Sequence, residues 1–297
     1  MNLYTREWGR GDTLIALHPL ALESSAFEGM ATVLAEGGVR TIAVDLPGFG
    51  RTPATRGLPH PAALAEPVIE LARSLDTPPT VLGISLGGRV ALECALRAPQ
   101  AFRSSILVSP YLPWKRARWM LASARYLDPA GVEKLPIDRI WPLLRWLTDG
   151  LERIPRVRDD AITRAGVRML YYASCPATRA NIVAVARELA LEPAFGPQGL
   201  WTRLPGLRCP SAFVWGEKDQ LVSYRFAPHV ARALPNARHL VLRCCGHAPY
   251  RAHDPCLVNT VEVALRELQT PSGRSAARPR PRERAHRPFV SAPCLVA

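Results

Sequence analysis

A serine with glycine two places away on either side, in Gly83-Ile84-Ser85-Leu86-Gly87-Gly88, is the group in this chain best placed to act as a nucleophile. It follows the short apolar run Thr80-Val81-Leu82 and precedes a helical pattern from Arg89 to Leu96. A strand that turns sharply into a helix leaves no room for side chains two residues before and after the serine, and Gly83 and Gly87 meet that demand. The Ser85 hydroxyl then stands clear of the sheet, beside the positive end of the following helix. A hydroxyl attacks a carbonyl effectively only when a histidine takes its proton and an acid holds that histidine. After a strand–turn–helix nucleophile, those partners come on loops behind later strands, in the order Ser, Asp, His. The run Ala212–Trp215 is followed by Gly216-Glu217-Lys218-Asp219, and His239–Leu242 by Arg243-Cys244-Cys245-Gly246-His247. Asp219 and His247 are therefore the candidate acid and base. Glu217 competes on the same loop, but Asp219 stands at the end of the turn; the loop after Val108 has no carboxylate before Asp128.

The remaining histidines lack this setting. His60, His229 and His286 fall in loop, helix and tail, His239 begins a strand, and His253 follows His247 closely enough to orient its loop. Negative charge that develops on an attacked carbonyl oxygen needs two backbone N–H donors. Leu86, directly after the nucleophile, supplies one. The loop His18-Pro19-Leu20-Ala21 supplies the other, and since Pro19 has no N–H, Leu20 is the choice and Ala21 the reserve.

These groups require a scaffold of alternating strands and helices. Thr13–Leu17 reads as a buried strand ending at His18. Ser24-Ser25 are placed to cap a helix carrying Phe27, Met30, Val33 and Leu34, which ends at Gly37-Gly38. Val39–Val44 is the next strand, closed by Asp45-Leu46-Pro47-Gly48-Phe49-Gly50. Residues 61–75 read as a helix, and Ser105–Val108 as a further strand. This alternation predicts a mostly parallel sheet covered by helices on both faces. From Tyr111 to Leu207 no strand is evident and the apolar residues fall at helical spacing, among them Trp114, Trp119, Leu121, Trp141, Leu144, Trp146, Met169, Tyr171 and Tyr172. The expected organisation is a core of residues 1–110 and 208–269, a helical lid over 111–207, and a disordered tail over 270–297. Most of the lid's aromatics are expected to form its own core. The tail is rich in Pro and Arg and too poor in apolar residues to order itself.

The net charge of +13 raises the question of nucleic acid. Residues 1–110 hold nine arginines against ten acids, whereas residues 111–200 hold fourteen basic and nine acidic side chains. Only Lys115, Lys134 and Lys218 are lysines, so the surplus reads as a preference for arginine across the chain, and no nucleic-acid motif accompanies it. No run of about 18 apolar residues is present, so a membrane span and stable membrane association are not expected. The N-terminus shows no secretory signal, and seven cysteines, an odd number, read as reduced thiols of a cytoplasmic protein. Cys244-Cys245 lack the spacing of a metal site, and neither a metal nor an organic cofactor is expected.

His18-Pro19, Asp45–Gly50, Gly83–Gly88, Gly216–Asp219 and Gly246-His247 together resemble the α/β-hydrolase superfamily over about residues 3–268. The resemblance implies an α/β-hydrolase fold with a helical lid inserted before the acid-bearing strand, and a Ser85–Asp219–His247 triad. It departs at Pro19, where the family usually has glycine, which bears on the path of the oxyanion loop. Members of the superfamily with an aspartate nucleophile are epoxide hydrolases and dehalogenases, and Ser85 argues against those chemistries. A narrower resemblance, in Val44–Arg51 and His247-Ala248-Pro249-Tyr250, is to carboxylesterases that remove a methyl ester from pimeloyl-carrier protein in biotin synthesis. It implies an acidic carrier protein docking on the basic lid, with Arg116, Arg118, Arg125, Arg139 and Arg145 as candidates. The expected activity is hydrolysis of a small to medium, mostly apolar ester. Cleavage of C–C bonds, lactones or thioesters, cofactor-free haloperoxidation, and a non-catalytic ligand-binding or signalling module on the same fold stay open as alternatives.

Overall fold

The structure is a computed structural model and describes residues 1–114, 122–152, 174–243, 245–247, 255–269 and 290–292. The strands are β1 (Thr5–Trp8), β2 (Asp12–Leu17), β3 (Val39–Val44), β4 (Thr80–Ile84), β5 (Ser104–Val108), β6 (Ser211–Gly216), β7 (Arg238–Leu242) and β8 (Val290–Ala292). They form one sheet in the order β1-β3-β2-β4-β5-β6-β7-β8. β1 runs antiparallel to β3 and every other pair is parallel. The predicted mostly parallel α/β sheet is thus borne out, with two strands that the spacing of apolar residues did not reveal. β1 is a partly exposed edge strand held by its ladder to β3. β8 lies in the stretch expected to be disordered, pairing with β7 at Leu240↔Val290, and the rest of 270–297 lies outside the described residues.

The helices are α1 (Glu28–Glu36), α2 (Pro61–Arg73), α3 (Leu86–Arg97), α4 (Pro129–Glu133), α5 (Ile137–Glu152), α6 (Pro176–Leu191), α7 (Leu200–Arg203), α8 (Ala227–Ala233) and α9 (Pro255–Gln269). Side chains alternate across a strand, so β2 sends Ile15 and Leu17 to one face and Leu14 and Ala16 to the other. The first face packs against α2, α3, α6 and α8 through residues such as Leu64, Val90, Val185 and Val230. The second packs against α1 and α9 through Met30, Leu34, Val258 and Val261. β4, whose five residues are all buried, lies inside the sheet between β2 and β5 and delivers Ser85 at its carboxyl end.

Ser24 and Ser25 do not cap α1. Residues Ser24–Phe27 form a 3-10 turn, and α1 starts at Glu28 without a side-chain cap. Ser24 Oγ is buried without a hydrogen-bond partner among the described residues, its N–H donates to Asp45 Oδ1 at 2.7 Å, and the Ser25 hydroxyl donates to Glu23. Between β5 and β6 the described residues contain helices and no strand. Trp114 packs edge-on against Phe195, Trp201 and Phe226 where this segment leaves and rejoins the sheet. Trp146 is 71% exposed and so is not part of a lid core. Trp119, Leu121, Met169, Tyr171 and Tyr172 lie outside the described residues, as do Arg116 and Arg118. Among the described residues no helix is long and apolar enough to cross a membrane.

Candidate active site

Ser85 sits at the sharp turn from β4 into α3 with φ 55° and ψ −108°, a region of backbone space that costs an L-residue free energy. Neighbouring strands hold it there. Its N–H donates to Val108 O at 2.9 Å, and its carbonyl accepts from Arg89 N and Tyr111 N at 2.9 and 3.1 Å. The two glycines are required by contact as well as by the turn. A Cβ on Gly83 would lie 2.1 Å from Gly87 O, and one on Gly87 would lie 2.0 Å from Leu17 O at the end of β2.

Asp219 and His247 arrive from the loops after β6 and β7. These loops are stitched together by Lys218 N–H to Cys245 O at 2.9 Å and by Glu217 N–H to Leu242 O at 3.0 Å. Gly216 permits the close approach, since a Cβ there would lie 2.3 Å from Gly246 O. Asp219 is 6% exposed, and its Oδ1 accepts from the N–H groups of Leu221 and Val222 at 2.8 and 2.7 Å. Its other oxygen, Oδ2, lies 2.8 Å from His247 Nδ1, and His247 Nε2 lies 3.0 Å from Ser85 Oγ. A carboxylate only accepts, which assigns the ring proton to Nδ1 and leaves Nε2 to accept from the serine hydroxyl. All three residues singled out in the sequence therefore meet in one hydrogen-bonded chain. Glu217 is exposed, and the acid that bonds the histidine is Asp219. Such a chain can move a proton from Ser85 to His247 and steady the resulting imidazolium.

Leu20 and Leu86 are the residues expected to supply amide donors. Leu86 is the first residue of α3, so its N–H has no partner within the helix. Among the described residues neither the Leu20 nor the Leu86 N–H donates to a protein acceptor. Ala21, the reserve, adopts φ 61° and so marks a tight, unfavourable turn in this loop.

The sequence reading attached no role to the His18 ring beyond its place in the loop. It is wholly buried, with Nδ1 2.8 Å from Pro19 O and Nε2 accepting from Leu46 N–H at 3.0 Å. Desolvation lowers its pKa to about 4, against the raising effects of the Pro19 carbonyl and Asp45. Asp45 ties the adjoining loops by accepting from Ser24 N–H and from Arg51 N–H at 2.8 Å, and Gly50 must be glycine because a Cβ would sit 2.1 Å from Asp45 Oδ2. Phe49 closes the bracket edge-on against His18, with ring centroids 5.3 Å apart. A histidine directly before Pro, together with an Asp-Leu-Pro-Gly-Phe-Gly run, was the available signal. The pairing between the two segments was not visible in it.

A parallel sheet that delivers a serine at a strained elbow, with histidine and aspartate on later loops, defines the class of α/β hydrolytic enzymes. Residues 14–259 match the model of the alpha/beta hydrolase family, and the chain belongs to that family. It is 28% identical to a pimeloyl-[acyl-carrier protein] methyl ester esterase of Chromobacterium violaceum, over 89% of this chain and 98% of that protein. It is 31% identical to a protein of the same description from Xanthomonas oryzae pv. oryzae, over 82% of this chain and 91% of that protein. Among solved structures, a thermophilic esterase from Thermogutta terrifontis superposes with a TM-score of 0.68 at 20% identity, covering 90% of this chain and 94% of that one, a likeness of fold.

Proposed function

We propose that this chain hydrolyses carboxylic esters through an acyl-enzyme on Ser85. The observation that carries the reading is the continuous hydrogen-bonded path from Asp219 through His247 to Ser85, at 2.8 and 3.0 Å. His247 Nε2 takes the hydroxyl proton as Ser85 Oγ bonds to the ester carbonyl carbon, and the carbonyl pair moves onto oxygen. The Leu20 and Leu86 N–H groups stabilise that oxyanion. Collapse breaks the bond to the alkoxy group, which leaves as alcohol with the proton from Nε2. Water then gives a proton to His247, attacks the acyl carbon and releases the acid and Ser85. Throughout, Asp219 holds Nδ1–H and the imidazolium.

The substrate is an ester of small to medium, mostly apolar character, and the segment 111–207 serves as a lid over it. Support for the lid comes from α6, whose Asn181 amide donates to Pro47 O at 3.4 Å and whose side chain leaves no room for a Cβ on Gly48. A narrower form follows from relatives described as acting on a methyl ester of pimeloyl-carrier protein: a carrier protein would dock on the basic segment 111–200. Of its candidate arginines, Arg139 is exposed, while Arg125 is half-buried and donates to Ala190 O at 3.2 Å.

The experiment is hydrolysis of p-nitrophenyl esters of increasing acyl length, wild type against Ser85→Ala, with fluorophosphonate labelling of both. Turnover and labelling confined to the wild type are expected. Labelling without ester turnover would transfer the site to C–C or lactone cleavage, and neither would remove the nucleophile assignment. Salt-sensitive binding of an acylated carrier protein tests the narrower form.

A further inference from the structure

Two backbone donors hold the strained turn at Ser85, and the side chains of both are fastened to the same helix end. Arg89 N–H and Tyr111 N–H donate to the Ser85 carbonyl at 2.9 and 3.1 Å. The fully buried Arg89 guanidinium binds the carboxylate of Glu192, the C-cap of α6, with Nε at 3.0 Å. The Tyr111 hydroxyl donates to the Leu189 carbonyl in the last turn of α6, also at 3.0 Å. A helix pairs each carbonyl with the N–H four residues on; for Leu189 that residue is Pro193, which has none, so the carbonyl is left for Tyr111. α6 is itself seated in the core through Ile182, Val185 and Leu189, so the grip comes from a packed element. The Ser85 carbonyl and the Leu86 N–H belong to one planar trans peptide and point in opposite directions. Whatever holds that carbonyl therefore aims that N–H. At φ 55° the Ser85 backbone does not rest in this orientation unaided.

We infer that the last turn of α6 is a clamp on the nucleophile turn, with Tyr111 and Glu192 as positioning residues: they fix the two donors to the Ser85 carbonyl, and so keep the Leu86 N–H aimed at the oxyanion. The inference rests on the ester-hydrolase reading. Its rival is that these bonds only fasten the segment between β5 and β6 to the core.

Three substitutions separate these roles. Tyr111→Phe keeps the ring and removes the bond to Leu189. Glu192→Gln keeps an acceptor of the same size for Arg89 and removes the charge. Val185→Ala loosens the buried face of α6 and leaves both bonds in place. Tyr111→Phe and Glu192→Gln are each expected to lower kcat on a p-nitrophenyl ester by about tenfold, a fraction of the loss when an oxyanion donor is removed outright, with KM within about threefold. The second-order rate of fluorophosphonate labelling of Ser85 should fall in parallel. Val185→Ala is expected to melt below wild type yet keep both rates within about threefold. Rates that follow melting temperature across the three variants, or wild-type rates in either clamp variant, overturn the positioning role. If Glu192→Gln does not fold, Tyr111→Phe against Val185→Ala decides: slower reaction in the first alone supports the clamp, and equal rates in the two overturn it. Wild type that turns over esters while the variants behave otherwise than expected sinks this inference only; wild type without ester turnover sinks the hydrolase reading and the inference with it.

Discussion

Asp219 divides its two oxygens between different tasks, and that division makes a sharp test. Oδ1 is committed to the Leu221 and Val222 N–H groups, so Asp219→Asn will place its amide oxygen there and turn its NH2 toward His247. A donor facing Nδ1 forces the ring proton onto Nε2, which can no longer accept from Ser85. kcat/KM is expected to fall by about 10³- to 10⁴-fold with little change in melting temperature, measured by ester hydrolysis and thermal unfolding. Gly87 is a second residue whose requirement is explicit. In Gly87→Ala the new methyl meets the Leu17 carbonyl at 2.0 Å, a backbone atom that cannot swing aside. The elbow must shift away from the end of β2, so ester turnover should drop at least about tenfold and unfolding free energy should fall by about 2 kcal/mol or more. Unchanged kinetics would mean that the turn tolerates bulk.

At the scale of elements, a buried charge network joins the helix behind the nucleophile to the helical segment between β5 and β6. Arg89 of α3 is fully buried and binds Glu192, the C-cap of α6, through Nε at 3.0 Å and through Nη2. It also binds Glu93 one turn along its own helix at 3.0 Å, and Glu93 in turn takes Arg203 of α7 at 2.5 Å. Burial alone would lower the Arg89 pKa, but the Glu192 and Glu93 charges outweigh it and leave it raised. The same balance holds Glu93 below its ordinary range: burial raises it, and the charges and hydrogen bonds of Arg89 and Arg203 together more than offset that. Glu192→Ala should therefore cost about 3–5 kcal/mol by stranding a buried guanidinium. Replacing Arg89 and Glu192 together by leucine should cost less than the sum of the two single replacements, although Glu93 then keeps only Arg203 as its partner. A denaturant-based double-mutant cycle reads both, and additive losses would deny the coupling. Tyr111 Oη, which donates to Leu189 O at 3.0 Å, reinforces the same junction.

Across the whole molecule, buried His18 and half-buried His239 weaken stability in acid. Desolvation lowers His18 and His239 from 6.5 to about 4. Between those values the unfolded chain binds protons that the folded chain refuses, so the contribution is complete above about pH 6.5 and is lost as pH falls toward 4. Each is expected to remove about 2 kcal/mol between pH 7 and pH 5. Urea midpoints at the two pH values should show the loss, and His239→Asn, which retains an acceptor for Trp215 Nε1–H, should roughly halve it. A variant with the wild-type pH slope would place the effect elsewhere.

Much of the architecture was legible because local sterics impose it. A strand-to-helix turn as tight as that at Ser85 demands glycine at 83 and 87, and buried parallel strands demand unbroken apolar runs, so the elbow, the sheet and the loops bearing Asp219 and His247 could be read in order along the chain. The α/β-hydrolase fold followed. What could not be read depends on partners far apart in sequence. β1 is a strand because β3 offers it a ladder, not because its own residues alternate cleanly. The Ser24 N–H finds Asp45 Oδ1, 21 residues away. Arg89 finds Glu192 across 103 residues, and His18 finds Leu46 across 28. Spacing along a chain constrains neighbours within a turn or a strand. Which buried donor meets which acceptor is settled only when folding brings those segments together and desolvation penalises every polar atom left unpaired.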